Sequence, residues 1–154
     1  MDITAIGETW RPHALSILRI VAALVILQYG LAKLVGWPVV KMFENLPLLS
    51  LFGIAGIFEL VGGTLLLLGL FTRPVAFVLA GEMAVAYFTT HARMSPYPQI
   101  SMGVPAILNC FIFLYLVAAG AGPWSIDAMI ARSRRPRIVA NQAAPQREPA
   151  RRSA

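Results

Sequence analysis

Residues 51–92 read LFGIAGIFELVGGTLLLLGLFTRPVAFVLAGEMAVAYFTTHA. The stretch is two apolar runs, Leu51–Phe71 and Pro74–Ala92, joined by Thr72-Arg73, and each contains a single acid, Glu59 or Glu82. About 20 apolar residues in a helix cover the roughly 30 Å hydrocarbon core of a bilayer. The hydrophobicity is continuous rather than alternating, and backbone in lipid must satisfy its own hydrogen bonds, so each run predicts a membrane-crossing helix and not a strand. A link this short forces antiparallel neighbours, and Pro74 suits a first helical turn.

Outward from this hairpin lie two more runs of the same kind, Ala14–Val35 and Ile100–Ala121. Gly36-Trp37-Pro38 ends the first, because proline cannot continue a helix and disfavours helix in its predecessor; Met94-Ser95-Pro96-Tyr97-Pro98 separates the third run from the fourth. The expectation is an all-α membrane protein, a four-transmembrane-helix antiparallel bundle occupying residues 1–131. Val39–Ser50 is the one longer connection and reads equally as a re-entrant or an interfacial piece. Ser125-Ile126-Asp127 opens a short interfacial helix running to Ala131. Gly30-Leu31-Ala32 has the small-x-small pattern of a signal-peptide cleavage site, but the run is too long, Arg19 interrupts it and thirteen residues precede it, so it reads as a retained span.

Composition agrees. Of 154 residues 58% are hydrophobic and only 13% charged, where a soluble domain is roughly a quarter charged, and mean hydropathy is +0.70. Disorder and most soluble folds are excluded. The net charge of +6 sits in one place: Arg132, Arg134, Arg135, Arg137, Arg147, Arg151 and Arg152 all follow Ala131, against the single acid Glu148. The basic balance therefore reports a tail, 132–154, read as disordered and cytoplasmic, on a neutral body, and no nucleic acid is expected as a partner. Lysines and arginines favour the cytoplasmic side. Arg11, Arg73 and the tail lie on one side of a four-span chain, whereas Lys33, Lys41 and Arg93 lie on the other, so both termini are expected in the cytoplasm. Lone Cys110 excludes an intrachain disulfide or a cysteine metal site.

The informative residues are polar ones inside the runs: Arg19, Gln28, Glu59, Glu82 and Asn109. A charge at the bilayer centre costs some 2.5–3.5 kcal/mol on insertion scales, so such groups face the bundle interior and pair, or mark a site. Counted from the cytoplasmic ends, Arg19 and Glu82 differ in depth by about 4–5 Å, and Arg19–Glu82 is the expected pair. Glu59 has no evident basic partner at its own level; it is expected to share Arg19, accept from Gln28 or be protonated. At 100° per residue Arg19, Ala22, Ala23, Gly30 and Lys33 share one face, with Gly56, Glu59 and Gly63 on another and Glu82, Ala86, Thr89 and Arg93 on a third; Gln28 points elsewhere. Such a polar seam either locks helix register or relays protons or holds a quinone head group. His13 and His91 fall at opposite ends of the bundle and cannot share a haem.

The residues resemble a known family. Arg19, Gly30-Leu31-Ala32-Lys33, Glu59-Leu60-Val61-Gly62-Gly63, Leu68-Gly69-Leu70-Phe71-Thr72-Arg73, Glu82-Met83-Ala84-Val85-Ala86-Tyr87-Phe88 with His91, and Gly120-Ala121-Gly122-Pro123-Trp124-Ser125-Ile126-Asp127 together are similar to the DoxX family of small bacterial inner-membrane proteins, over roughly residues 14–128. The resemblance implies a four-helix bundle in the cytoplasmic membrane and an oxidoreductase association, since the family name comes from a subunit of a thiosulfate:quinone oxidoreductase. Where relatives often carry an acid entering the fourth helix, this chain has Val104-Pro105. The expected role is a membrane subunit or anchor of a redox complex, non-catalytic itself, with no intrinsic cofactor but a quinone against the seam and a soluble redox enzyme as partner. The alternatives are a permease-like or lipid-binding bundle, requiring a homo-oligomer for transport, or a purely structural membrane protein.

Overall fold

A computed structural model describes residues 3–133. In chain order the helices are α1 (Ile3–Leu34), a 3-10 turn (Lys41–Phe43), α2 (Leu51–Leu68), α3 (Thr72–Ala86) continued by a π-helical turn (Tyr87–His91) and α4 (Ala92–Met94), then α5 (Val104–Ala119) and α6 (Ile126–Ser133). There is no strand among the described residues. Of the tail 132–154 read above as disordered, Arg132 and Ser133 complete the last turn of α6, and the rest, from Arg134 onward, lies outside the described residues.

Three helical stretches are long and apolar enough to cross a membrane: Gly7–Leu34, Leu51–Leu68 and Thr72–Met94. Their outward faces are apolar and solvent-accessible, as at Val21, Ile57, Val61 and Phe77, which is the surface of a protein whose solvent is lipid. The fourth expected span is shorter than its apolar run. α5 has 16 residues, about 24 Å of helix at 1.5 Å per residue, because Tyr97–Gly103 folds as tight turns: the Ile100 and Ser101 amides donate to Tyr97 O and the Gly103 amide to Pro98 O. Those turns seat Gly103 against the Tyr87 ring and His91 Cβ, where a side chain would collide at 2.8–2.9 Å. α1, conversely, begins well before Ala14. Hydropathy marks the lipid and not the end of a helix, and the polar first turns carry their own support in a Glu8–Arg11 ion pair at 2.8 Å.

The ends of α2 follow from local chemistry. Ser50 caps its start by accepting from the Gly53 amide at 3.1 Å, and Gly69, at φ 67°, ends it in the left-handed conformation that glycine adopts without a steric penalty. α1 packs along α2, and α3 along α5. The α1–α2 register is set by close approach: a Cβ on Gly30 would stand 2.6 Å from Leu60 N and 3.0 Å from Glu59 C. Both obstacles are backbone. Gly30→Val is expected to part α1 from α2 and destabilise the protein by about 1–3 kcal/mol, the usual cost of overpacking; a thermal melt in detergent that matches the unaltered protein would contradict this.

The buried core is Ala22, Ala23 and Ile26 of α1, Leu66 of α2, Ala76, Leu79, Ala80 and Met83 of α3, and Phe113 and Leu116 of α5. It forms a plug across the middle of the bundle. Polar groups are gathered on either side of it.

Candidate functional site

On one side of the plug, Arg19 is fully buried. Its guanidinium donates from Nε to Ala121 O at 2.9 Å, from Nη1 to Leu67 O at 2.8 Å and to Leu66 O, and from Nη2 to Trp124 O at 2.5 Å. Leu66 and Leu67 belong to the last turn of α2, whose carbonyls carry the negative end of the helix dipole; Leu66 O also accepts from the Gly69 amide at 3.0 Å, so the guanidinium is its second donor. Asp127 supplies the compensating charge while its two oxygens accept from the Phe71 and Thr72 amides at 2.9 Å each, capping α3. Ser16 Oγ accepts from the Trp124 amide at 3.2 Å in the same knot. One cation thus ties the middle of α1 to the end of α2 and to the segment that follows α5, with planar, fork-shaped donors that only arginine offers.

The expected Arg19–Glu82 pair does not form. Arg19 sits level with the start of α3, and Glu82 lies about 15 Å further along that helix at 1.5 Å per residue, beyond Leu79 and Ala80 of the plug. The depth count placed Arg19 by its distance from the start of an apolar run, whereas its true level is set by the α1–α2 register.

On the other side of the plug is a cavity of about 870 Å³, within the roughly 300–1,000 Å³ range of ligand pockets. Its walls are apolar and aromatic, including Phe43, Phe52, Phe58, Met83 and Val104. Its charged groups and one buried amide come from four helices: Lys33 of α1, Glu59 of α2, Glu82 of α3 and Asn109 of α5. Lys33 Nζ donates to Glu59 Oε1 at 2.7 Å, and the two side chains are 8% and 3% exposed. The ammonium also stands 5.5 Å from the centroid of Phe43, in the connection that covers this end. The Glu59 and Glu82 carboxyls face each other within hydrogen-bonding reach, yet Glu59 Oε2 and both Glu82 oxygens are buried without a donor. The π turn carries Thr89, Thr90 and His91 onto the cavity wall, as such turns do at functional sites. The His91 ring donates from Nδ1 to Ser101 O at 2.7 Å, which fixes its orientation.

Of the five candidate residues, then, Glu59, Glu82 and Asn109 meet at one cavity, Arg19 belongs to a separate knot, and Gln28 is exposed and lines neither. Glu59 has a basic partner after all. By sequence Lys33, near the end of the first span, counts among the charges of the non-cytoplasmic side and not as a partner for Glu59, but α1 runs to Leu34 and turns Lys33 inward. The signal was its position one turn beyond Gly30, on the face packed against α2: Gly56 of α2 lies against Lys33, where a Cβ would stand 3.0 Å from Lys33 Cβ.

The DoxX family model matches residues 14–92, a stretch that contains Arg19, Lys33, Glu59, Glu82 and His91. A protein of Haemophilus influenzae (strain ATCC 51907 / DSM 11121 / KW20 / Rd), described as an uncharacterized protein, is 40% identical over 127 residues, which cover 78% of this chain and 92% of the relative. No solved structure matches the chain. Apolar helices long enough to cross a bilayer, a family match over half the sequence and a relative similar along nearly its whole length carry one conclusion: this membrane protein belongs to the DoxX family.

Proposed function

We propose that the chain is the quinone-binding membrane subunit of a redox complex in the bacterial inner membrane. The observation that carries this is the cavity itself: an apolar, aromatic-walled space of about 870 Å³ that ends on a buried lysine, two carboxyls and an amide. An amphiphile with a flat polar head and an apolar tail matches that gradient. A quinone supplies two-electron chemistry when bound. The chain's part is to orient the head with Lys33 and Asn109, to keep water out with the Phe43 connection, and to hold a proton at Glu82 or Glu59. The described residues include no redox-active set of side chains, so electrons pass to a soluble partner enzyme.

In this reading the chain crosses the bilayer four times with both termini cytoplasmic. The shortness of α5 is no obstacle, because irregular backbone is tolerated at membrane depth where it lines a cavity, and Gln99, Ser101 and Met102 line this one. With Lys33 paired inside the bundle, the non-cytoplasmic side keeps only Lys41 and Arg93, which strengthens the charge bias that sets orientation. The plug of Leu66, Leu79 and Phe113, each 0–1% exposed, gives the cavity no continuation through the bundle. That favours a resident ligand over a permeating solute.

The test is extraction. Protein carried from membranes into lipid nanodiscs without detergent is expected to yield about one quinone per chain by mass spectrometry, above the content of protein-free nanodiscs made from the same lipid. Quinone at the level of the bulk lipid would refute the reading. Proton or solute flux in proteoliposomes, lost in Glu82→Gln, would support the permease alternative instead.

A further inference from the structure

We propose, on the basis of the quinone reading above, that the cavity selects the reduced, dihydroxy head group over the oxidised dione. Donors and acceptors at its polar end are unequal. Glu59, 2% exposed, has one oxygen on Lys33 and the other without a donor, and Glu82 has neither oxygen satisfied. With both carboxyls ionised, three buried acceptors face the cavity, and a single lysine leaves the pair one positive charge short. A proton shared between Glu59 and Glu82 joins the two, and one Glu82 oxygen still lacks a donor. In either state, a head group reaching Glu82 must donate.

A hydroquinone does so. Its hydroxyl donates to Glu82 while the same oxygen accepts from a remaining N–H of Lys33 or from the Asn109 amide. A dione carries only acceptors; it can receive from Lys33 but sets its lone pairs against those of Glu82, leaving a buried acceptor unpaired. Asn109, 7% exposed, serves either form through its amide, so the discrimination falls on Glu82. The same unpaired acceptors disfavour an anionic lipid head group, whose phosphate would add negative charge to the end that already has an excess.

The experiment uses the full chain in lipid nanodiscs and a decyl-substituted benzoquinone in its oxidised and reduced forms, with empty nanodiscs as the partition control. The reduced form is expected to bind about tenfold tighter, which a redox titration of the bound couple reads as a midpoint about 30 mV above that of the couple in empty nanodiscs. Glu82→Gln replaces an acceptor by an amide donor and is expected to bring the two forms to near parity, with the midpoint returning to the control value. Equal or tighter binding of the dione to the unaltered protein overturns the inference and leaves the quinone reading standing. Binding of neither form above the empty-nanodisc control removes both. The titration of the unaltered protein decides the question even if Glu82→Gln does not fold.

Discussion

Arg19→Leu is expected to cost about 3–5 kcal/mol, the range found when one partner of a buried charged network is removed, and to leave little assembled protein in the membrane. Four carbonyl oxygens lose the guanidinium at once, of which Leu66 O keeps the Gly69 amide, and a buried acceptor left unpaired costs about 1–3 kcal/mol. Against a total stability of roughly 5–15 kcal/mol that is a large share. Arg19→Lys is expected to recover only part of the loss, because a single ammonium cannot reach Ala121, Leu66, Leu67 and Trp124 from one fork. The decisive comparison is the double substitution Arg19→Leu with Glu82→Leu. Were the two side chains a pair, removing both would restore stability; since the plug separates them, the effects should add to within about 0.5 kcal/mol. Equilibrium unfolding by titration with a denaturing detergent, followed by helical circular dichroism, gives the costs of Arg19→Leu, Arg19→Lys, Glu82→Leu and the double variant. A double variant markedly more stable than Arg19→Leu alone would show that the guanidinium and Glu82 are coupled and that the knot is not what holds it.

What the sequence makes legible and what it hides divide along a physical line. Apolar run length reports where lipid lies, so the helical segments around residues 14–35, 51–71, 74–92 and 100–121 were readable, with the break at Thr72-Arg73 and the short helix after Ser125. Their ends were not. The Gly69 stop of α2, the turns at Tyr97–Gly103 that shorten α5 and the π turn at Tyr87–His91 depend on hydrogen bonds and packing partners that hydropathy does not encode. The residues of the cavity were half visible: Glu59, Glu82 and Asn109 stand out because they are polar in apolar runs. Pairing was not visible, because it needs the interhelical register. Gly30 against Leu60 and Gly63 against Ile26 and Leu27 fix that register for α1 and α2, and from it follow both Lys33 beside Glu59 and Arg19 beside the end of α2. Arg19, the one fully buried cation among the described residues, stands out in the sequence as a functional group, and its four carbonyl partners give it a structural task.

The ion pair at the cavity predicts its own cycle. Lys33→Met leaves Glu59 and Glu82 facing each other with no cation and is expected to destabilise by about 3–5 kcal/mol, as loss of one member of a buried pair does. Glu59→Leu leaves the Lys33 ammonium buried against Phe43 and is expected to cost a similar amount. Removing both should cost far less than the sum, since what remains at the polar end is Glu82 alone, which can stay uncharged, and Asn109; apolar replacement of a whole buried pair is often close to neutral. The coupling read from the cycle, the summed single costs less the cost of the double variant, is expected to be at least about 3 kcal/mol, the top of the range for groups in direct contact. Quinone content measured on the same four proteins separates fold from function. If the pair serves the ligand, the double variant should fold yet retain no quinone above the bulk-lipid level; if its task is only to fix the register of α1 and α2, quinone should stay bound. Additive costs for the two single changes would mean that Lys33 and Glu59 do not depend on one another, and the polar end of the cavity would then have to be built from Glu82 and Asn109.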